Sequence, residues 1–362
     1  MRCVRAPASV PRLAFPERDA LESVRHLGRR FPRARVREVP LLRAAELDGR
    51  ADPTGATRIW LALEALQVTG SFHIRGALVA LAALAKSEHR QVVVPSLGNF
   101  GVAVAYAAPF LDMSSTVVVP RTTPRIKREK IERYGASLVV APSDRYDVTA
   151  ALAREMALRD GQAFLAPDED ENIVLGNGTS LGFEIVRGLG GVPERVLAPV
   201  GTGALAVGLA WALSSEGCGG HSERPIWGVQ TESAGAMASL LDLPSRASAT
   251  HERDVPLASL AEELTVPPTA EAVDRARASV AGVVIVGEQQ IGAAMAHAYQ
   301  DMGLVLEGTA AIALAPVLFG LPEPVRGGDL VVVLTGRNVD PERLEAVAEF
   351  ASSVGRADRA LQ

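Results

Sequence analysis

The stretch Arg195-Val-Leu-Ala-Pro-Val-Gly-Thr-Gly-Ala-Leu205 passes from a short apolar run, through a turn of small residues, into an Ala-rich helical pattern. The run is continuous rather than alternating, which suits a parallel strand covered on both faces. Working outward, the same rhythm recurs. Strands are expected at Arg58–Leu63, Gln91–Val94, Thr116–Val119, Leu138–Val140, Arg195–Pro199, Ile226–Val229, Val283–Val286 and Leu330–Leu334. Helical patterns lie between them, at Arg125–Tyr134, Val148–Arg159, Gly203–Leu213, Thr269–Ser279, Glu288–Met302 and Pro341–Phe350. Pro124 before the first of these and Gly135 after it are ordinary start and stop residues. Alternating strands and helices make this an α/β protein with mostly parallel sheets and helices on both faces.

A chain of 362 residues has room for about two domains. Its 37 basic and 42 acidic side chains leave a formal charge of −5, so nucleic acid and anionic membrane are poor partners. No apolar run is long enough to span a bilayer, and the Pro-broken, Arg-rich segment 1–37 lacks the apolar core of a signal peptide. Two cysteines, Cys3 and Cys218, cannot build a disulfide scaffold or a four-cysteine zinc site. A cytoplasmic protein with no metal site is expected.

Five segments carry groups suited to chemistry. Gly201-Thr-Gly-Ala-Leu205 sits where a strand meets a helix N-terminus, so its N–H groups can cradle an anion, although a tight turn needs the same glycines. Pro95-Ser-Leu-Gly-Asn-Phe-Gly101 also follows a buried strand, the usual ligand position in open α/β sheets; Ser96 could equally cap a helix. His73, in Thr69-Gly-Ser-Phe-His-Ile-Arg-Gly-Ala77, opens an apolar helix, where a hydrogen-bonded structural histidine is the plainer alternative. Leu334-Thr-Gly-Arg-Asn338 follows the last strand, and Glu307-Gly-Thr-Ala-Ala311 precedes a helix that Glu307 could cap.

In order and spacing these segments resemble the fold-type II pyridoxal-phosphate (PLP) enzymes, which include threonine and serine dehydratases, serine racemase, threonine synthase and tryptophan synthase β. The likeness runs from about Arg37 to Asp340, with Glu38-Val-Pro-Leu41 and Gly176-Asn-Gly-Thr179 as further matches, and is strongest to the dehydratase-like branch. It implies a two-domain, tryptophan synthase β-like architecture, with residues 1–93 and 173–362 forming a large domain around a small inserted domain, 94–172. It implies also that Gly201, Thr202, Gly203, Ala204 and Leu205 hold a cofactor phosphate and Asn99 bonds the pyridine hydroxyl. Phe72 would pack on the ring and Thr335 lie beside the pyridine nitrogen. Ser96, Leu97, Gly98, Asn99 and Phe100 would form the substrate loop, with Ser96 a catalytic candidate; Leu97 argues against two-base racemisation. Family members are commonly homodimers.

One departure outweighs the others. Where the family has its Schiff-base lysine, this chain has His73, and imidazole has no primary amine. The three lysines offer no substitute. Lys86 is thirteen residues along the same helix, nearly 20 Å away at about 1.5 Å per residue, and Lys127 and Lys130 read as part of a solvated charged face. Arg337 replaces a glycine beside the presumed pyridine site, and whether it or Arg75 reaches a ligand is open.

Three readings follow. The first is a lyase-type enzyme performing elimination, cyclisation or isomerisation on a small amino or carboxylic acid, with His73 as acid or base and PLP absent or held noncovalently. The second is a Lys→His variant of a PLP-dependent dehydratase-like enzyme. The third is a catalytically silent homologue acting as a binding or partner subunit.

Overall fold

The computed structural model describes residues 1–5, 14–87, 89–167, 170–217, 224–234, 259–266, 268–321, 323–325 and 327–349. Among these residues eleven strands, β1 to β11 in chain order, form two sheets. The larger has the order β1-β10-β9-β8-β11-β3-β2 and the smaller β6-β5-β4-β7. In the large sheet β3 (Thr57–Ala62), β8 (Arg195–Pro199), β9 (Ile226–Thr231), β10 (Gly282–Val286) and β11 (Gly328–Val333) are parallel. The short edge strands β1 (Arg2–Arg5) and β2 (Leu41–Arg43) run antiparallel to their neighbours. The small sheet, β4 (Gln91–Pro95), β5 (Ser114–Val119), β6 (Ser137–Val140) and β7 (Ala163–Phe164), is wholly parallel.

The continuous apolar runs are explained by what they touch. Along β11, Leu330 and Val332 join one core with Ile59, Leu61 and Leu197, beneath Ile291 and Met295 of the helix Glu288–Gln300. Their neighbours Val331 and Val333 point the other way, into a core with Val196, Ala198, Leu205 and Leu209. In the small sheet Val92 and Val94 face one core, while Val93 and Val118 meet Ala153 and Ala157 on the opposite side. Period-two side chains covered by helices on both faces produce an unbroken hydrophobic run.

The helices used below are α1 (Arg18–Val24), α2 (His73–Lys86), α3 (Asn99–Ala107), α4 (Arg125–Arg133), α5 (Tyr146–Arg159), α6 (Ser180–Leu189) and α7 (Ala204–Ser215). Each expected strand and helix has its counterpart, shifted by a few residues; α5, for example, starts at Tyr146 rather than Val148. Strands β1, β2 and β7 were not anticipated: at two to four residues they are too short to carry a pattern. Cys218, most of the Gly-rich segment 215–225 and the whole of 242–256 lie outside the described residues.

Gly176-Asn-Gly-Thr179 folds as a single π-helical turn, Leu175–Thr179, running directly into α6. The reason is close approach of three backbones. A Cβ on Gly176 would lie 2.5 Å from the Arg75 carbonyl oxygen, and one on Gly178 would lie 2.3 Å from that of Leu205. Between them Asn177 accepts a 2.8 Å hydrogen bond from the Gly76 N–H. The motif thus clamps α2 against α7, the helices that begin at His73 and at the Gly201 turn.

Candidate functional site

The loops that follow β4, β8 and β11 leave the same ends of parallel strands, where open α/β sheets place ligands. Phe72 and His73 are brought to them by backbone pairing. Ser71 forms an isolated bridge with Gly336, and the Phe72 N–H donates to the Thr335 carbonyl at 3.1 Å. The outcome is one cavity of ≈ 120 Å³ lined by Phe72, His73, Ser96, Leu97, Gly98, Phe100, Gly201 to Leu205 and Thr335. Every sequence-predicted site residue except Asn99 lines it; Asn99 is buried just behind.

His73 packs its ring 4.1 Å from that of Phe72 and 6.3 Å from that of Phe100, centroid to centroid. Its Nδ1 is 3.5 Å from the Ser71 hydroxyl oxygen. Burial, reinforced by the Lys127 ammonium and opposed by the Glu263 carboxylate, pushes the imidazole down to about 4. The ring is therefore neutral near pH 7. In that form it can accept a proton, as a weaker base than an unperturbed histidine, and it holds none to donate, a narrower role than the acid or base expected from the sequence.

Ser96 takes the plainer of its two expected parts. Its Oγ accepts from the N–H groups of Gly98 at 2.9 Å and Gly101 at 2.8 Å, capping the start of α3. Gly98 has φ 143°, and a Cβ there would lie 2.2 Å from Cδ of Lys127. The lysine stem occupies the room that glycine leaves.

That contact corrects the reading of α4 as a solvated charged face. Lys127 is fully buried, and its ammonium bonds Glu262 at 3.0 Å, Glu263 at 2.8 Å and Glu307 at 3.0 Å. Lys130 is partly buried and donates to Asn338 Oδ1; burial and the nearby Arg337 push it down to about 8. Glu307 does not cap the helix that follows it. Its carboxylate turns to Lys127 and to Asn99 Nδ2, at 2.7 Å. Burial and the neighbouring Glu263 carboxylate, against the pull of Lys127, push Glu307 up to about 7. Asn99 is saturated: its Nδ2 also donates to Glu263 at 2.9 Å, its N–H to Glu263 at 3.1 Å, and its Oδ1 accepts from Asn338 at 2.7 Å.

The two arginines left open by the sequence do not reach the cavity. Arg75 is fully buried in an ion triad, 2.7 Å from Glu64 and 2.6 Å from Glu184. Arg337 donates to the Ala65 carbonyl at 2.6 Å. Sequence reasoning missed Glu263 and Tyr146, which also line the cavity, and gave no role to Asn177 and Thr309, lining residues from two of the segments it singled out. Glu263 sits in a four-residue 3₁₀ turn, Glu262–Thr265, with no periodicity to mark it, and only the contacts of the folded chain place it opposite Asn99.

The family described as "Pyridoxal-phosphate dependent enzyme" matches residues 33–336. The chain belongs to this family. It is similar to biosynthetic threonine dehydratase 1 of Solanum lycopersicum, a chloroplastic protein, at 31% identity over 90% of this chain and 51% of that relative, so it spans about half the relative's length. It is also similar to the catabolic L-threonine dehydratase TdcB of Escherichia coli K12, at 32% identity over 82% of this chain and 87% of the relative. Among solved structures, the processed form of threonine deaminase isoform 2 from Solanum lycopersicum superposes with a TM-score of 0.78 at 25% identity, covering 96% of this chain and 93% of that one. The fold is that of a fold-type II PLP enzyme, and the chain is similar to the threonine dehydratases of that family. Among the described residues, no helix is long and apolar enough to cross a membrane.

Family membership indicates PLP as the cofactor, and the residues present match only half of it. The turn 201–204 at the N-terminus of α7 suits a phosphate, and the Thr335 hydroxyl, buried without a hydrogen-bond partner among the described residues, suits a ring nitrogen. At the aldehyde end no amine is offered by His73, and the Lys127 ammonium is locked among three carboxylates. Both amide hydrogens of Asn99, expected at the pyridine hydroxyl, are taken by Glu263 and Glu307. The site does not fit the covalently held cofactor of its family.

Proposed function

We propose that this protein is a lyase that carries out elimination on a small amino or carboxylic acid, with His73 as the general base and without a lysine aldimine. One observation carries the reading: a neutral imidazole, at the position that the sequence resemblance gives to the family's lysine, lines a cavity whose other walls include the turn 201–205, Ser96, Leu97, Gly98, Phe100 and Thr335. His73 takes the proton on the carbon next to the substrate's acid group, and the imidazolium so formed is balanced by the Glu263 carboxylate. The electron pair left behind forms the double bond as the leaving group departs from the neighbouring carbon. No side chain that lines the cavity is an electron sink, so where no cofactor supplies one the substrate must itself make that proton acidic. Phe72 and Phe100 line the small cavity beside the imidazole and give that part of it apolar walls.

The relatives named above support elimination over other chemistries, and threonine- or serine-like molecules are the first substrates to try. The test pairs spectroscopy with mutation. The purified protein is expected to show no visible band that borohydride fixes to the chain. Product release across a panel of small hydroxy and amino acids is expected to fall about 10²–10⁴-fold in His73→Ala. A His73→Ala enzyme as active as the parent would overturn the reading.

A further inference from the structure

The turn 201–204 keeps the form of a phosphate cradle, although the site does not fit the covalently held cofactor whose phosphate it would serve. In α7 the first bond back along the chain runs from the Val207 N–H to the Gly203 carbonyl, at 3.0 Å. The N–H groups of Gly203, Ala204, Leu205 and Ala206 therefore have no acceptor within the helix. They lend the partial positive charge of a helix N-terminus to a turn that lines the cavity. An independent sign of a ligand is the Thr335 hydroxyl. It is 3% exposed as a residue, lines the same cavity and has no hydrogen-bond partner among the described residues.

Size and chemistry decide what that phosphate is attached to. At ≈ 120 Å³ the cavity is well below the about 300–1,000 Å³ of clefts that take a drug-sized ligand. It suits one compact molecule rather than a phosphorylated ring with a substrate stacked on it. The His73 imidazole on its wall offers no amine to an aldehyde. A phosphate held on the turn is then best supplied by the substrate itself. The loop 96–100 still has donors for a substrate carboxylate. Ser96 takes the N–H groups of Gly98 and Gly101 and Glu263 takes that of Asn99, while those of Leu97 and Phe100 meet no acceptor among the described residues.

We propose that the turn 201–204 binds the phosphate of a β-phosphorylated amino acid, such as O-phosphoserine or O-phosphothreonine, and that this phosphate is the group eliminated. The assignment rests on the lyase reading above and names its leaving group, with the α-carboxylate kept on the loop 96–100. His73 takes the α-proton, the electron pair left behind forms the Cα–Cβ double bond, and the Cβ–O bond breaks with its pair on the phosphate oxygen. The imidazolium passes its proton to that oxygen and hydrogenphosphate leaves, so no outside acid is needed. Departure of the phosphate as the proton is taken draws charge away from Cα, and no free carbanion has to be held. An imidazole that holds its proton weakly is suited to hand it on. The enamine left behind reacts with water in solution to give a 2-oxo acid and ammonia.

Calorimetry and product analysis of the full chain test this together. O-Phospho-L-serine is expected to bind at least about tenfold more tightly than L-serine, and inorganic phosphate to compete with it. Its turnover is expected to release phosphate and pyruvate in equal amounts, with kcat/KM at least about tenfold above that for L-serine. Ala204→Asp puts a carboxylate in the first turn of α7, which favours the helix and repels a phosphate. This variant is expected to keep its melting temperature and to lose about tenfold or more in affinity for O-phospho-L-serine. Equal affinity for the two amino acids, no competition by phosphate, or no loss in Ala204→Asp would overturn the proposal. So would phosphate released with serine instead of pyruvate, or a PLP absorbance band that stays with the chain through gel filtration. Elimination from L-serine as fast as from O-phospho-L-serine would overturn the proposal and leave the lyase reading standing. Tight binding with no 2-oxo acid from either would sink the lyase reading, and the leaving-group role with it.

Discussion

His73 and Glu307 are both shifted from their ordinary values for the same leading reason, removal from water, and the shifts have opposite signs. For the imidazole, burial disfavours the charged form, so the folded value of about 4 lies below the ordinary 6.5. The unfolded chain then binds the extra proton, and this stability is lost as pH falls from about 6.5 towards 4. For Glu307, burial beside Glu263 lifts the carboxyl to about 7, from an ordinary value near 4.5. The folded chain binds the extra proton, and that stability is lost as pH rises from about 4.5 through 7. Between about pH 4.5 and 6.5 the two slopes oppose each other. Urea unfolding at pH 5 and pH 7 is expected to show His73→Asn gaining stability relative to the parent at the lower pH. Glu307→Gln is expected to lose ground there. If both variants tilt the same way, the assignment of these protonation states is wrong.

At the scale of elements, the site depends on how a few turns meet. The loop from β4 into α3 can pass over the buried stem of Lys127 only because residue 98 has no side chain and adopts φ 143°. Gly98→Ala combines a strained backbone with a displaced lysine. It is expected to cost about 1–3 kcal/mol in denaturant unfolding, together with weaker phosphate binding if the carboxylate cluster moves. The π-helical turn plays the matching part for α2 and α7. The Gly-Asn-Gly-Thr string was legible as a match to dehydratases. Its physical purpose, three backbones in contact, was not, because two of the partners, Arg75 and Leu205, are distant in sequence.

Over the whole molecule, the helix that begins at His73 is anchored by a charge cluster that does not line the cavity. Arg75 joins α2 to Glu64 on the turn after β3 and to Glu184 on α6, and Glu184 also accepts from the Val39 N–H at 2.8 Å. Attraction to the two carboxylates outweighs burial and holds the guanidinium charged. Arg75→Met would leave two carboxylates buried without a counter-ion. Breaking such a pair costs about 3–5 kcal/mol. Thermal unfolding is expected to show a large loss, whereas a variant that replaces all three charges with apolar residues is expected to recover much of it.

The sequence by itself determined the α/β rhythm, the strands of both sheets apart from three short ones, and the segments from which the cavity is built. Those features rest on local patterns: continuous apolar runs for covered strands, small residues at strand-to-helix turns, and five motifs in register. It also showed that residue 73 carries imidazole where an amine is expected. Only the tertiary structure decided what surrounds that imidazole. Lys127 has the look of one more charge on a polar helix, yet three carboxylates from two distant segments close over it. Glu263 and Glu307 become neighbours of Asn99 only through contacts spanning 164 and 208 residues of chain. Charge interactions act through space and carry no sequence period, so the electrostatics of the cavity could be read only once the chain had folded.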